Sequence, residues 1–402
     1  MKKKEIGILL VCLFLVMIGY GLTLPILPFL VEQSAKSNGF LNFSPALHVG
    51  LMTGIFPLMQ FLTAPLWGRL SDRIGRRPVL AAGMMGYALS LILFGWTIDL
   101  MFLYILRIVG GIFSASVLPT VNSWVTDLSD SNYRGKALAW TGGAASLGVI
   151  FGPVLSSFFL GIDWFSEWSW KLLTANPYTV AFMIAGFMAI FAFATVLLWL
   201  PNKRMTMRYE VHKETKIADW ALTKAKMIPF LLYALVIQGA LSMFESTFAL
   251  HAQQTLGYSV LEMGYIFMAC GLGMSLSQIG LTGPLLDRWG EKRILLIGFL
   301  FVGLSLFLLM LVDTFTMIIL LVSYMALGIA LVTPTLASLT SKISTNNNIG
   351  KCMGLLASYS SLGLTIGSFL GAGLYSVNIH LPYLVFTIIV FTVPIHMIKS
   401  FE

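Results

Sequence analysis

The chain has 402 residues, of which 57% are hydrophobic and only 10% are charged, and its mean hydropathy is +0.87. Soluble domains hold roughly 45–50% apolar and about 25% charged residues, so this composition excludes a soluble protein and predicts one that lies in a bilayer. The three cysteines form no CxxC pair, and we therefore expect neither a disulfide framework nor a metal site. The net charge of +8 leaves nucleic-acid binding open until the basic residues are placed along the chain.

Apolar stretches of about 20 residues recur along the sequence, and each has the length that an α-helix needs to cross a bilayer. The first stretch is too long for a signal peptide and lacks a small-residue cleavage pattern, so it is interpreted as a retained helix. The predicted fold class is an all-α membrane protein with twelve transmembrane helices. Their limits are 6–31, 47–67, 78–98, 101–126, 136–161, 177–200, 228–252, 261–283, 293–312, 315–341, 351–376 and 381–399.

The basic residues indicate how these spans are oriented. If the amino terminus is cytoplasmic, every lysine and arginine except Lys36, Arg107 and Lys171 falls in a cytoplasmic segment. Positive charge accumulates in cytoplasmic loops, so the sequence predicts a multi-pass protein of the cell membrane with both termini in the cytoplasm. The basic charge is then a topology signal, and we expect no nucleic-acid partner.

Several residues within the spans are candidates for a cavity. Pro25 would bend the outer half of span 1, in "GLTLPILPFL", although a simple irregularity of the helix is an equal alternative. Four amide side chains within spans are also candidates: Gln60, Asn122, Gln238 and Gln278. Each of them either lines a cavity or bonds to a neighbouring helix, and the sequence leaves both interpretations open.

The loop between spans 2 and 3 reads "GRLSDRIGRRPVL" and concentrates charge in a chain that has little. A cytoplasmic location explains the number of arginines but demands no particular spacing. The glycines and the acid need a second explanation, and we expect them to form a turn that acts as a gating latch. The residues of this predicted latch are Gly68, Asp72, Arg73, Gly75 and Arg76.

Two charged side chains fall well inside spans, away from the span ends. Arg107 lies in span 4, where an arginine costs at least about 2.5–3.5 kcal/mol unless it faces water or a partner. It is either a cavity residue that binds substrate or organises proton transfer, or an arginine that extends to the interface. Glu245, in span 7, is the one carboxylate well inside a span, and loss of hydration favours its neutral form. We predict that it exchanges protons; a structural hydrogen bond to a neighbouring helix is the alternative.

Span 5 reads "GGAASLGVIFGPVLSSFFLG" and carries glycines on one helical face. Gly148 and Gly152 have the GxxxG spacing that lets helices approach closely in a membrane. Pro153 frees a backbone carbonyl and kinks the helix. Close packing accounts for at least part of this pattern.

A shift of 215 positions overlays the sequence on itself, so that "GRLSDRIGRRPVLAAG" meets "GPLLDRWGEKRILLIG". Asp287 and Arg288 are the counterparts of Asp72 and Arg73. The register holds over loops as well as spans, which indicates duplication of a six-span unit. The predicted domains are two six-helix halves and a polar cytoplasmic linker, at 1–200, 228–402 and 201–227. Parallel halves with a substrate site between them near the midplane define one transporter architecture.

These motifs resemble those of the major facilitator superfamily, and within it the twelve-span drug/proton antiporters. "GRLSDRIGRRPVL" matches the loop 2–3 signature, "LYILRIVGGIFSA" the span 4 signature, and "GVIFGPVLSSFFLG" the antiporter signature of span 5, with a serine pair in place of its final glycines. "GALSMFESTFALHAQQTLGYS" resembles span 7 of Gram-positive multidrug exporters. The resemblance implies proton coupling through Glu245. Ala330 stands where some relatives carry a second acid.

The resemblance also implies a role for Asp127, in "VTDLSDSNYRGKA". In the family this aspartate pairs with the loop 2–3 arginines in one conformation, which here implies a latch of Asp72, Arg73 and Asp127. Because Lys342 occupies the position equivalent to Asp127, we expect a different latch in the second half.

The predicted function is a proton-coupled exporter of hydrophobic or cationic drugs or dyes, with Arg107 tuning or relaying the protonation state of Glu245. The proton gradient supplies the energy, so no cofactor is expected, and protons, small substrates and membrane lipids are the predicted partners of a functional monomer. Export of a specific natural solute, such as a sugar or a lipid-linked glycan, is the main alternative, and proton-independent facilitation is another. An enzyme is disfavoured, because no HExxH motif, paired intramembrane acids or Ser/His pairing occurs.

Overall fold

The structure, a computed structural model, describes residues 2–38, 44–129, 134–160, 178–201, 217–343 and 349–400. These residues form α-helices joined by short connections and one π-helical turn, Ser277–Leu281. The α-helices are α1 (Lys2–Asn38), α2 (Pro45–Ile74), α3 (Arg76–Trp96), α4 (Leu100–Ser114), α5 (Val117–Leu128), α6 (Arg134–Leu160), α7 (Thr179–Trp199), α8 (Ile217–Gln254), α9 (Val260–Leu276), α10 (Thr282–Leu308), α11 (Phe315–Ile343), α12 (Ile349–Val377) and α13 (Leu381–Ser400).

The helices reproduce the predicted spans. Within the described ranges, eight stretches are long and apolar enough to cross a membrane, and three shorter apolar helices coincide with predicted spans 5, 8 and 12. Predicted span 9 is the part of α10 that follows Gly290, where the backbone leaves helical geometry. The prediction of an all-α membrane protein with twelve transmembrane helices in two six-helix pseudo-repeats is confirmed.

One predicted span is interrupted. Span 4 is divided into α4 and α5 at Ala115 and Ser116. Pro119 explains the break, because its ring excludes the carbonyl of Ala115 from an uninterrupted helix and it has no N–H to donate. Asp99 caps the start of α4 by accepting a hydrogen bond from the backbone N–H of Phe102 at 2.8 Å.

Contacts divide the chain into two compact units. Unit 1 comprises Met1–Met205 with Phe248–Gly271, and unit 2 comprises Thr206–Thr247 with Leu272–Glu402. The end of α8 and most of α9 therefore pack with unit 1, although they follow the predicted linker in sequence. The described part of that linker is helical from Ile217 onward. The predicted half boundaries at 200 and 228 stay a prediction.

Equivalent pairs of helices pack closely in the two units, α1 with α6 in unit 1 and α8 with α12 in unit 2. In unit 1, a side chain at Gly148 or Gly152 of α6 would collide with the backbone of α1. In unit 2, Gly363 and Gly367 of α12 hold the equivalent positions, 215 residues later, and a side chain there would collide with the backbone of α8. Small residues thus let the backbones touch in both units, as duplication of one six-helix unit requires.

Candidate functional site

The turn between α2 and α3 depends on a glycine. Gly75 has φ of +104° and ψ of 161°, and its N–H donates to the carbonyl of Ser71 at 3.1 Å. Residues with a Cβ adopt this conformation only at considerable cost, so glycine lets α2 end and α3 begin without an intervening loop. By contrast, a Cβ at Gly68 would meet open space, and the structure shows no steric need for that glycine.

Arg76 is the centre of an acid–base network at this turn. Its Nη1 donates to Asp72 Oδ1 at 2.6 Å and to Ser71 Oγ at 2.9 Å, and its Nε donates to Asp127 Oδ2 of α5 at 3.3 Å. The Arg76 side chain is only 10% exposed, against 17% for Asp127 and 48% for Asp72. The network therefore fixes the start of α3 against the end of α5.

The arginine that joins the two aspartates in the structure is Arg76, another of the predicted latch residues, and not the Arg73 that the resemblance implied. Asp72 and Asp127 are joined through Arg76, whereas Arg73 is exposed and makes no ion pair with any described residue. The reason is helical geometry: Arg73 belongs to the last turn of α2, but Arg76 lies beyond the Gly75 turn, at the start of α3, where it can reach both acids.

Unit 2 has a turn of the same kind with different side chains. Gly290 has φ of +73° and ψ of 160°, and the next residue, Glu291, accepts hydrogen bonds from Lys342 Nζ and, at 3.4 Å, from Ser338 Oγ of α11. The lysine ammonium holds the pKa of Glu291 below its usual value, mainly through that hydrogen bond. The predicted latch residues Asp287 and Arg288 are exposed and form no ion pair within the described ranges.

Arg107 is buried inside unit 1. Its residue surface is 6% exposed, and its guanidinium lies over the rings of Phe94 and Phe56, with 5.2 and 5.6 Å to the ring centroids. Tyr87 and Ser90 also line the small cavity of about 10 Å³ into which Arg107 faces. Such burial does not fit an arginine that extends along the surface to the interface.

The aromatic rings replace part of the favourable hydration that the buried cation of Arg107 loses on leaving water. Its Nε is fully buried and donates to no described group. A cation in this position is poorly compensated, and such residues in membrane spans are by default functional candidates.

Glu245 lies in the part of α8 that belongs to unit 2. Its Oε2 is buried and accepts no hydrogen bond from the described residues. Its neighbours on the helix are bonded: Ser242 shares a hydrogen bond of 2.5 Å with Ser368 of α12, and Thr247 donates to the carbonyl of Met243 at 2.8 Å. The structural hydrogen bond that was the alternative role for Glu245 is therefore not made by this oxygen.

The other predicted residues divide into two groups. Gln60 donates to Ser114 of α4 at 3.1 Å, and Asn122 accepts from Thr141 of α6 at 2.6 Å, so both connect neighbouring helices. Pro25 is buried within α1, and Gln238 and Gln278 are partly buried with no hydrogen bond shown for their side chains in the described ranges. These three stay cavity candidates.

The predicted antiporter helix corresponds to α6. Gly148 and Gly152 serve the close packing described above, and Pro153 follows within the same helix. A Cβ at Gly142 or Gly143 would meet no atom within 4 Å. Half of the glycine motif therefore has a packing role, and the structure shows none for the other half.

Unit 1 also contains contacts that the sequence did not suggest. Gln253 of α8 donates to Glu32 of α1, and a side chain at Gly271 of α9 would collide with Ile150 of α6. These contacts attach Phe248–Gly271 to unit 1.

Comparison with models of protein families shows which family this chain belongs to. The family model described as "Major Facilitator Superfamily" matches residues 9–282 and 240–400, which together cover nearly the whole chain. The chain is a member of the Major Facilitator Superfamily. This assignment confirms the predicted family, and with the apolar helices it makes the protein a multi-pass membrane protein.

Several proteins with similar sequences are named as resistance proteins. Multidrug resistance protein 2 of Bacillus subtilis (strain 168) is 26% identical over 390 residues, covering 95% of this chain and 92% of the relative. The class B tetracycline resistance protein of Escherichia coli is 29% identical over 374 residues, covering 92% and 88%. Quinolone resistance protein NorA of Staphylococcus aureus (strain COL) is 24% identical over 385 residues, covering 94% and 92%.

Solved structures show that the facilitator fold extends over the chain. The human organic anion transporter MFSD10 (TETRAN) superposes with a TM-score of 0.70 at 21% identity, covering 98% of this chain and 99% of that one. An inward-facing, unoccupied bacterial homologue of the human lysosomal transporter Spinster superposes with a TM-score of 0.74 at 17% identity, covering 94% and 82%. At these identities the likeness concerns the fold alone.

Two residues of the facilitator's turns were missed by sequence reasoning. Glu291 is one of them, although a shift of 215 positions places it opposite Arg76. Ser71 was also missed, and nothing in its sequence neighbourhood distinguishes it from other helical serines. The shift offered a usable signal for Glu291 because it had already paired Asp127 with Lys342.

Proposed function

We propose that this facilitator is a proton-coupled exporter of small hydrophobic or cationic compounds across the cell membrane, with both termini in the cytoplasm. The observation that carries the proposal is the similarity over more than nine-tenths of the chain to proteins named for multidrug, tetracycline and quinolone resistance. The orientation rests on the distribution of lysine and arginine. In this proposal the protein acts as a monomer. It needs no cofactor, because the proton gradient supplies the energy.

Glu245 is the proposed proton carrier. Its Oε2 is buried and accepts no hydrogen bond from the described residues, so an ionised carboxylate here is expensive to keep in a membrane and proton uptake relieves that cost. Release of the proton leaves a negative charge that a cationic substrate can neutralise. Proton and substrate then compete for one group, which is the property that an antiporter needs. Arg107 belongs to unit 1 and Glu245 to unit 2, and we propose that Arg107 responds to the charge state of Glu245 during the cycle.

The test is Glu245→Gln in energised membrane vesicles, because glutamine keeps the shape of the side chain but cannot carry a proton. We expect drug or dye efflux driven by a pH gradient to fall at least tenfold, while exchange of substrate down its own gradient persists. Glu262→Gln is the matched control, since Glu262 accepts the hydrogen bonds of Ser259 at the exposed start of α9, where glutamine can replace it. Unchanged pH-driven efflux by the Glu245→Gln variant would exclude Glu245 as the carrier.

A further inference from the structure

The two turns carry ion pairs of opposite polarity at equivalent positions. Shifting the numbering by 215 converts Arg76 into Glu291 and Asp127 into Lys342. Arg76 pairs with Asp127 in unit 1, and Glu291 pairs with Lys342 in unit 2. Both positions have changed sign, yet the pair has been kept.

The geometry of the two pairs is also equivalent. Arg76 and Glu291 each follow the glycine with positive φ, and each is the first residue of the helical segment that begins there. Asp127 and Lys342 each lie in the last turn of the helix that receives the contact, α5 and α11 respectively. In both units the ion pair therefore fixes the start of one helix against the end of another.

The placement of the positive and the negative member of each pair determines how well the pair suits the helix ends. The amino terminus of a helix favours negative charge and the carboxyl terminus positive charge. Glu291 and Lys342 agree with that preference, whereas Arg76 and Asp127 oppose it. The unit 1 pair is supported instead by burial and by the additional partners Asp72 and Ser71. The two units thus reach the same contact by different electrostatic means.

We infer that Glu291 and Lys342 form the conformational latch of unit 2, and that the transport cycle depends on the contact between the turn and α11 rather than on the sign of either charge. Ser338, one helical turn before Lys342, donates to the same carboxylate and directs it toward α11. The pair is a positioning pair, because it acts on the placement of a helix and not on substrate. The inference rests on the proposed function only for its transport readout.

The experiment compares Glu291→Lys, Lys342→Glu and the double reversal, which gives unit 2 the polarity of unit 1. Transport rate is measured in vesicles, and the ratio of conformations is measured by pulsed electron paramagnetic resonance between one spin label on each unit. Lys342 is 64% exposed, so the single variants should fold, which thermal unfolding will verify. The matched control is Arg288→Glu, which reverses an exposed charge beside the same turn that forms no ion pair within the described ranges.

Each single reversal should change the ratio of conformations by about two- to fivefold, which is what a partly exposed ion pair supplies, and should lower the transport rate. The double reversal should return both to within about twofold of the native values, and Arg288→Glu should leave them unchanged. A double variant no better than the single ones, or an equal effect of Arg288→Glu, would overturn the inference. Because the conformational ratio is measured without substrate, failure of the exporter proposal would not affect it.

Discussion

The turn after α2 in unit 1 and the turn at Gly290 in unit 2 are built on similar backbone, with φ of +104° and +73° and ψ near 160° in both. The ion pairs at the two turns differ in the number of hydrogen-bond partners, in the exposure of the side chains and in which helix carries the positive charge. Arg76 is 10% exposed and has three partners, whereas Lys342 is 64% exposed and shares Glu291 with Ser338. The backbone conformation and the contact between helices have been kept, while the charges that make the contact have been exchanged.

This difference separates two physical requirements. A backbone with positive φ restricts the residue to glycine, so duplication has little freedom there. An ion pair requires only opposite charges within reach, and its two members can be exchanged if both change. Strict retention of glycine beside free exchange of charge is therefore what the physics of a shared turn predicts.

The largest expected effect lies in the helix packing that the units also share. Gly152→Ala in unit 1 and Gly367→Ala in unit 2 place a methyl group against the backbone of α1 and α8, which cannot be relieved by moving a side chain. We expect each to destabilise the protein by at least the upper part of the about 1–3 kcal/mol typical of overpacking. Thermal unfolding in detergent measures this loss.

Gly142→Ala is the control for this comparison, because it lies on the same helix as Gly152 and its Cβ would meet no atom within 4 Å. Alanine there should be neutral or slightly stabilising. If Gly142→Ala and Gly152→Ala lowered the unfolding temperature equally, close packing of α6 on α1 would not be the reason for the glycine.

A somewhat smaller effect is expected at the turns. Gly75→Ala and Gly290→Ala force a residue with a Cβ into a backbone region that costs about 1–3 kcal/mol, and the two losses should be similar because the conformations are. Unfolding temperature and transport rate provide the measurement. Gly68→Ala, seven residues before the first turn and in open space, should be tolerated. A tolerated Gly290→Ala would show that only unit 1 needs its turn.

The sequence predicted the spans, the duplication and the turn glycines because each depends on a local or periodic property. Hydropathy over 20 residues determines whether a helix can cross a membrane, and a Gly in a charged loop indicates an unusual backbone. The break between α4 and α5 was missed, since Pro119 lies in an apolar stretch whose hydropathy shows no interruption.

The candidate site was predicted less completely, because contacts between helices depend on geometry. The resemblance implied that Arg73 pairs with Asp127, whereas the direction of α3 after Gly75 brings Arg76 to that carboxylate. Likewise, Asp287 and Arg288 matched the motif but lie on the exposed side of the turn. The burial of Arg107 among aromatic rings was not predicted, since those rings come from distant parts of unit 1.

The smallest expected losses of stability come from variants that remove one member of each ion pair. Arg76→Gln leaves Asp127, which is 17% exposed, without its cation, and we expect a loss of roughly 1–2 kcal/mol in stability, reduced from the fully buried case by access to water. Glu291→Gln leaves Lys342 free to turn into solvent and should cost only about 0–1 kcal/mol.

The stability difference between Arg76→Gln and Glu291→Gln should be visible as a larger fall in unfolding temperature for the unit 1 variant. The stability losses of the two variants should also depend differently on salt concentration, because salt screens a partly exposed ion pair much more than a buried one. Raising the salt concentration should therefore reduce the effect of Glu291→Gln toward zero and leave most of the effect of Arg76→Gln. Equal losses with equal salt dependence would mean that burial does not distinguish the two pairs, and that the exchange of charge between the units has no energetic consequence.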